Sequence, residues 1–119
     1  MANPCFLLDE HIPHAIVRGL RLRDPAIQVF VIGGESGEPG IETPDPELLI
    51  WIEEHGCLLV TNNRATMPEH LTNHLAAGRH IPGILTVPRR FALGDLIDEL
   101  YLIWAASREE DFLDLIVYL

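Results

Sequence analysis

Apolar residues occur along this chain in two alternating rhythms. Apolar-rich runs at Cys5 to Leu8, Ile27 to Ile32, Cys57 to Val60, Gly83 to Val87 and Leu113 to Leu119 have the length and composition of buried strands. Between them, apolar positions recur at helical spacing. Ile16, Val17 and Leu20 share one face of a segment from Pro13 to Leu22, and Leu48, Leu49, Trp51 and Ile52 one side of a segment from Asp45 to His55. A third helical segment runs from Thr66 to about Ala77. In the fourth, Leu93, Leu96, Ile97, Leu100, Ile103 and Trp104 make the strongest amphipathic pattern of the chain.

The residues between these runs agree with that division. Pro13 suits the first turn of a helix, and Asp24-Pro25 ends one because the residue before proline is pushed out of helical geometry. Asp45 suits an N-cap, with Pro46 at the first helical position and Glu47 complementing the dipole. Gly56 and Gly78 suit C-terminal stops, and Thr66 with Glu69 has the spacing of a capping box. Strand and helix alternate throughout, which predicts an α/β fold: a three-layer α/β/α sandwich on a mostly parallel, five-stranded sheet. No repeat or linker divides the 119 residues, so one domain over 1–119 is expected. Gly33 to Thr43 is a long glycine- and glutamate-rich loop. It lacks a phosphate-binding glycine pattern and is expected to be a flexible flap beside a site.

Composition narrows the function classes. A formal net charge of −10 argues against a broad electrostatic hold on nucleic acid. Every basic residue is an arginine, and none occurs between Asp24 and Asn63, where Glu35, Glu38, Glu42, Asp45, Glu47, Glu53 and Glu54 lie. Such an acidic surface is a common solubility device or, more sharply, a cation-binding cluster. No apolar run spans a bilayer, and the N-terminus lacks the basic and long apolar regions of a secretory signal. Cys5 and Cys57 read as small buried apolar residues without a disulfide, so a cytoplasmic protein is expected.

Candidate chemistry centres on Phe6-Leu7-Leu8-Asp9-Glu10-His11, where a strand runs straight into two carboxylates. Open α/β sheets place their ligands at the carboxyl ends of strands. Asp9 and Glu10 after the first strand, Asp45 before the second helix and Asn63 after the third strand converge on one rim. Carboxylates gathered there suit Mg²⁺ or Mn²⁺, hard cations that take oxygen ligands. Plainer roles stay open for each: Asp9 and Asp45 as helix caps, Glu10 as a solvated or ion-paired group, Asn63 as a turn residue. Arg64, Arg89 and Arg90 flank the rim and suit phosphate contacts. His70 and His74 at i, i+4, and His11 and His14 at i, i+3, lack a metalloprotease motif and read as surface or satisfied histidines. Trp51 and Trp104 read as core.

Taken in order, Phe6-Leu7-Leu8-Asp9-Glu10 with Pro13, Asp45-Pro46-Glu47-Leu48-Leu49, Leu59 to Pro68, Ile81-Pro82-Gly83-Ile84 and Val117-Tyr118-Leu119 resemble the PIN-like nuclease superfamily. The likeness is nearest to its small members treated as toxin–antitoxin components. The resemblance implies a Mg²⁺-dependent endoribonuclease with Asp9 and Asp45 as metal ligands and Glu10 nearby, RNA as substrate, and an antitoxin protein or a second copy as partner. The family carries an aspartate where this chain has Asn63. Asparagine offers a carbonyl oxygen but no charge and no general base, so a catalytically impaired module that binds protein or RNA is the alternative. A flavodoxin-like small-molecule binder is a third class, without the glycine-rich phosphate loop it needs after the first strand.

Overall fold

A computed structural model describes residues 3–119 of the chain. Its elements follow the sequence in the order β1 (Cys5–Leu8), α1 (Ala15–Arg23), β2 (Val29–Val31), α2 (Asp45–His55) and β3 (Cys57–Thr61). They continue as α3 (Met67–Ala76), β4 (Ile84–Thr86), α4 (Leu93–Ala106), a 3₁₀ turn over Glu109–Asp111, and β5 (Ile116–Tyr118). All five strands are parallel, in the order β2-β1-β3-β4-β5. The expected α/β architecture is therefore present, and its core divides into two layers. Phe6, Leu8, Val60 and Leu85 face α1 and α4 with Ile16, Leu20, Leu96 and Leu100. Leu7, Leu59 and Ile84 face α2 and α3 with Leu49, Ile52, Met67 and Leu71. The three inner strands β1, β3 and β4 are buried at every position, which is why they read as apolar runs rather than as alternations.

Boundaries moved where packing outran pairing. Ile27 and Ile32 are buried, yet the second ladder holds only Val29–Val31. The first helix begins at Ala15, two residues after Pro13. The glycine-rich loop after β2 is tied down and does not hang as a flap. Gly33 N–H donates to Pro39 O at 2.8 Å, the Glu38 carboxylate accepts from Ser36 N–H at 2.7 Å, and Trp51 Nε1–H donates to Gly37 O at 3.2 Å. Trp51 is thus only half-buried, wedged between Phe30 and His55.

The reading of the cysteines is overturned. Cys5 and Cys57 are joined by a disulfide. They are register partners at the starts of neighbouring parallel strands, with Cα atoms 4.5 Å apart. That separation lies in the range a bridge requires. Both sulfurs lie near the backbone carbonyl oxygen of His55, at 3.6 and 4.0 Å.

A second tie joins α2, α3 and the approach to β4. Buried His74 places Nε2 at 2.8 Å from Glu53 Oε1, and Arg79 Nε–H donates to the same oxygen at 3.1 Å. The His70/His74 pair therefore does not act as a unit, since His70 turns towards Asp45. His80 Nδ1 lies 2.7 Å from Asp114 Oδ2, while Ile81 N–H donates to Asp114 Oδ1 at 2.8 Å. The Asp114 hydrogen bond raises His80 above its usual 6.5. Burial would raise Asp114, but the bonds from Ile81 and His80 outweigh it and hold it below 3.8. The aspartate's share of stability is present above pH 3.8 and is lost as pH falls through its lowered value. The histidine's share is complete below pH 6.5 and is lost as pH rises through its raised value. The stability gap between wild type and Asp114→Asn, read from denaturant midpoints, should therefore be widest between those limits and shrink towards pH 9. A gap that stays constant would remove the charge interaction from the account.

Candidate functional site

Strand order reverses direction between β1 and β3, the switch point at which doubly wound sheets open a crevice at their carboxyl ends. Asp9 is the first residue beyond β1, and its N–H still donates to Val60 O at 2.9 Å. Its carboxylate is held from both sides. Thr61 Oγ1–H donates to Oδ2 at 2.9 Å, and His11 N–H donates to Oδ1 at 3.1 Å. The half-buried Asp9 is thus fixed by β3 as well as by its own turn.

Thr61 also accepts a hydrogen bond from Asn63 N–H at 3.1 Å. Asn63 Nδ2–H in turn donates to Asp45 Oδ2 at 2.9 Å and to Thr66 Oγ1 at 2.8 Å. One chain of hydrogen bonds therefore runs Asp9–Thr61–Asn63–Asp45 across the switch point. Folding has gathered these three predicted positions, distant in sequence, onto one rim.

Two of the capping roles open in the sequence are not realised. Asp45 is the first residue of α2, whose N-cap is Pro44, and no side chain caps that helix. Its carboxylate faces Asn63 and lies 3.6 Å from His70 Nε2. Thr66 likewise spends its hydroxyl on Asn63 rather than on a capping box. Side chains suited to local helix stabilisation have been turned towards the rim instead.

Asp9, Glu10 and His11 each offer a ligand atom within 4.8 Å of the others, and among the described residues this is the one such group of His, Cys, Asp and Glu. Two carboxylates and an imidazole are donors that Mn²⁺ accepts readily and Mg²⁺ accepts through the oxygens. Each Asp9 oxygen keeps a second lone pair beyond the bond it accepts. The donor set fits a divalent cation. Asp45 stands outside this group. Its carboxylate accepts from the Asn63 amide and lies beside the His70 ring, and it is joined to Asp9 through the hydrogen-bond chain alone.

Arg64, one residue after Asn63, is exposed and lays its guanidinium over the Tyr118 ring, 5.3 Å from the centroid. Arg89 and Arg90 are exposed beyond the carboxyl end of β4. A cavity of about 430 Å³ lies at the opposite edge, bordered by Pro4, Gln28, Gly56, Pro82 and Arg108. We place the site by donor chemistry rather than by volume, because the convergent carboxylates are all at the strands' carboxyl ends.

Thr61 and His11 are the members that sequence reasoning missed. Thr61 reads as the tail of an apolar strand, and only its register with the residue after Leu8 reveals its partner. His11 lay in plain view beside two carboxylates. No family model matches the chain, and no curated protein or solved structure matches it either.

Proposed function

We propose that this protein is a metal-dependent phosphodiesterase of the PIN-like type, acting on RNA at the β1–β3 switch point. The observation that carries the reading is the Asp9, Glu10 and His11 cluster, whose ligand atoms lie within 4.8 Å of one another where the strand order reverses. Asp9 and Glu10 would hold Mg²⁺ or Mn²⁺, with Asp45 as a further carboxylate on the rim. A bound divalent ion there supplies charge neutralisation at a phosphate and a more acidic water. Thr61 and the His11 backbone fix Asp9, while Arg64 and Arg89 neutralise phosphates on either side. An antitoxin protein and self-association belong to the same reading, whereas the Cys5–Cys57 disulfide removes the cysteine argument for a cytoplasmic location. That no helix is long and apolar enough to cross a membrane is compatible with it.

A specific observation favours a second reading, a catalytically silent module of this type that holds RNA or a protein. The Asn63 amide donates to Asp45 and, being neutral, adds no charge with which the rim could hold a cation. One experiment separates them. Labelled single-stranded RNA is incubated with Mn²⁺ and wild-type protein or Asp9→Asn. Loss of at least a hundredfold in cleavage rate in the variant supports the nuclease. Absence of cleavage, with no rise of melting temperature in Mn²⁺, supports the silent module. Cleavage undiminished in Asp9→Asn excludes this site altogether.

A further inference from the structure

Register places four residues in one row along the sheet's carboxyl edge. Thr61 pairs with Thr86, and Thr86 with Tyr118. Asp9 completes the row, one position past the Leu8–Val60 pair and hydrogen-bonded to Thr61. Three inter-strand steps put Tyr118 about 14 Å from Asp9 across the sheet. Alternation along the strands fixes the face. Val60, Leu85 and Val117 pack with the α1–α4 layer, so Thr61, Thr86 and Tyr118 turn to the other side, the side of α2 and α3.

Most of that face is covered, but its last position is open. Thr61 and Thr86 are buried, whereas Tyr118 is 55% exposed. A tyrosine on a short edge strand has no packing reason to sit there uncovered, and the exposed ring carries a guanidinium across it. Arg64 makes no ion pair among the described residues, so its charge stays available while its guanidinium lies 5.3 Å from the ring centroid. An aromatic ring topped by an unpaired arginine is a surface on which a nucleobase stacks. Stacking gains little from net charge, which suits a chain whose formal charge is −10.

We propose that Tyr118 and Arg64 form a stacking platform for an unpaired RNA base, and that the ligand of this rim is accordingly single-stranded. The proposal rests on the reading of the rim as an RNA site. A base on Tyr118 and a phosphate near Asp9 are separated by a short run of extended strand. A duplex would keep its bases paired inside and could not reach the ring. Arg64, over the ring and one residue after Asn63, contributes to both the base and the backbone.

The test measures binding with EDTA present, so that cleavage does not enter. Fluorescence anisotropy follows a labelled unstructured RNA decamer on wild type, Tyr118→Ala, Tyr118→Phe and Arg64→Ala, each checked by thermal melting. Tyr118→Ala should weaken binding about tenfold, Tyr118→Phe should restore it, and a hairpin duplex should compete poorly. Equal affinity for wild type and Tyr118→Ala overturns the platform, as does a Tyr118→Phe that behaves like Tyr118→Ala. A change of oligomeric state in Tyr118→Ala with RNA binding intact also overturns it, in favour of a protein contact. Cleavage in Mn²⁺ is scored in parallel. Cleavage with binding indifferent to Tyr118 leaves the nuclease reading standing and removes the platform. Tyr118-dependent binding without cleavage does the reverse. No detectable RNA binding removes both.

Discussion

Reducing the Cys5–Cys57 bond should lower the stability of this protein by about 4 kcal/mol, the loop-closure entropy of two residues 52 positions apart. For a domain of this size that is a fall of roughly 15 °C in the midpoint of thermal unfolding. The bond ties β1 to β3 at their starts, so the unfolded chain is closed into a loop holding α1, β2 and α2. The folded pair loses little by comparison, because the same strands remain joined by a parallel ladder over four register pairs. Circular dichroism with and without a reductant measures the effect, with a Cys5→Ala/Cys57→Ala variant as the insensitive control. Coincident melting curves, with both thiols shown to be free, would refute the expectation.

Asn63→Asp should increase the dependence of stability on divalent metal. The native amide donates to Asp45 at 2.9 Å, and a carboxylate in its place would set two like charges together on a partly buried rim. In chelator the variant should lose about 2 kcal/mol, through a forfeited charge-assisted bond and the repulsion that replaces it. A divalent ion at about a hundred times its dissociation constant should then return about 2.7 kcal/mol. Wild type, whose Asp45 is already compensated, should gain less from the same addition. Thermal melts of both proteins in EDTA and in Mn²⁺ make the comparison. Equal metal responses would show that position 63 does not face the cation and would leave Asp9, Glu10 and His11 as a self-contained group.

The architecture was legible in the sequence because both faces of the sheet are buried along its inner strands. That burial turns β1, β3 and β4 into apolar runs, and the ends of the edge strands are where the sequence reading and the ladders differ. The site was legible in part. Asp9 could be placed because a carboxylate immediately after a buried strand has few other places to lie. Asn63 and Asp45 could be placed on the same rim by topology. Their direct bond could not, and Asp45 looked equally good as an N-cap, a role Pro44 fills instead. The disulfide, the Thr61 support of Asp9 and the exposure of Tyr118 escaped for a common reason. Each depends on which residue of one strand stands opposite which residue of another, and hydrophobic periodicity records the face of a residue but not its cross-strand partner.

The tied loop between β2 and α2 has its own consequence for events at the rim. Its backbone is held to Pro39, its glutamate closes on Ser36, and an indole from α2 fastens its middle. It therefore serves as a strut that sets where α2 starts, not as a curtain that must be drawn aside.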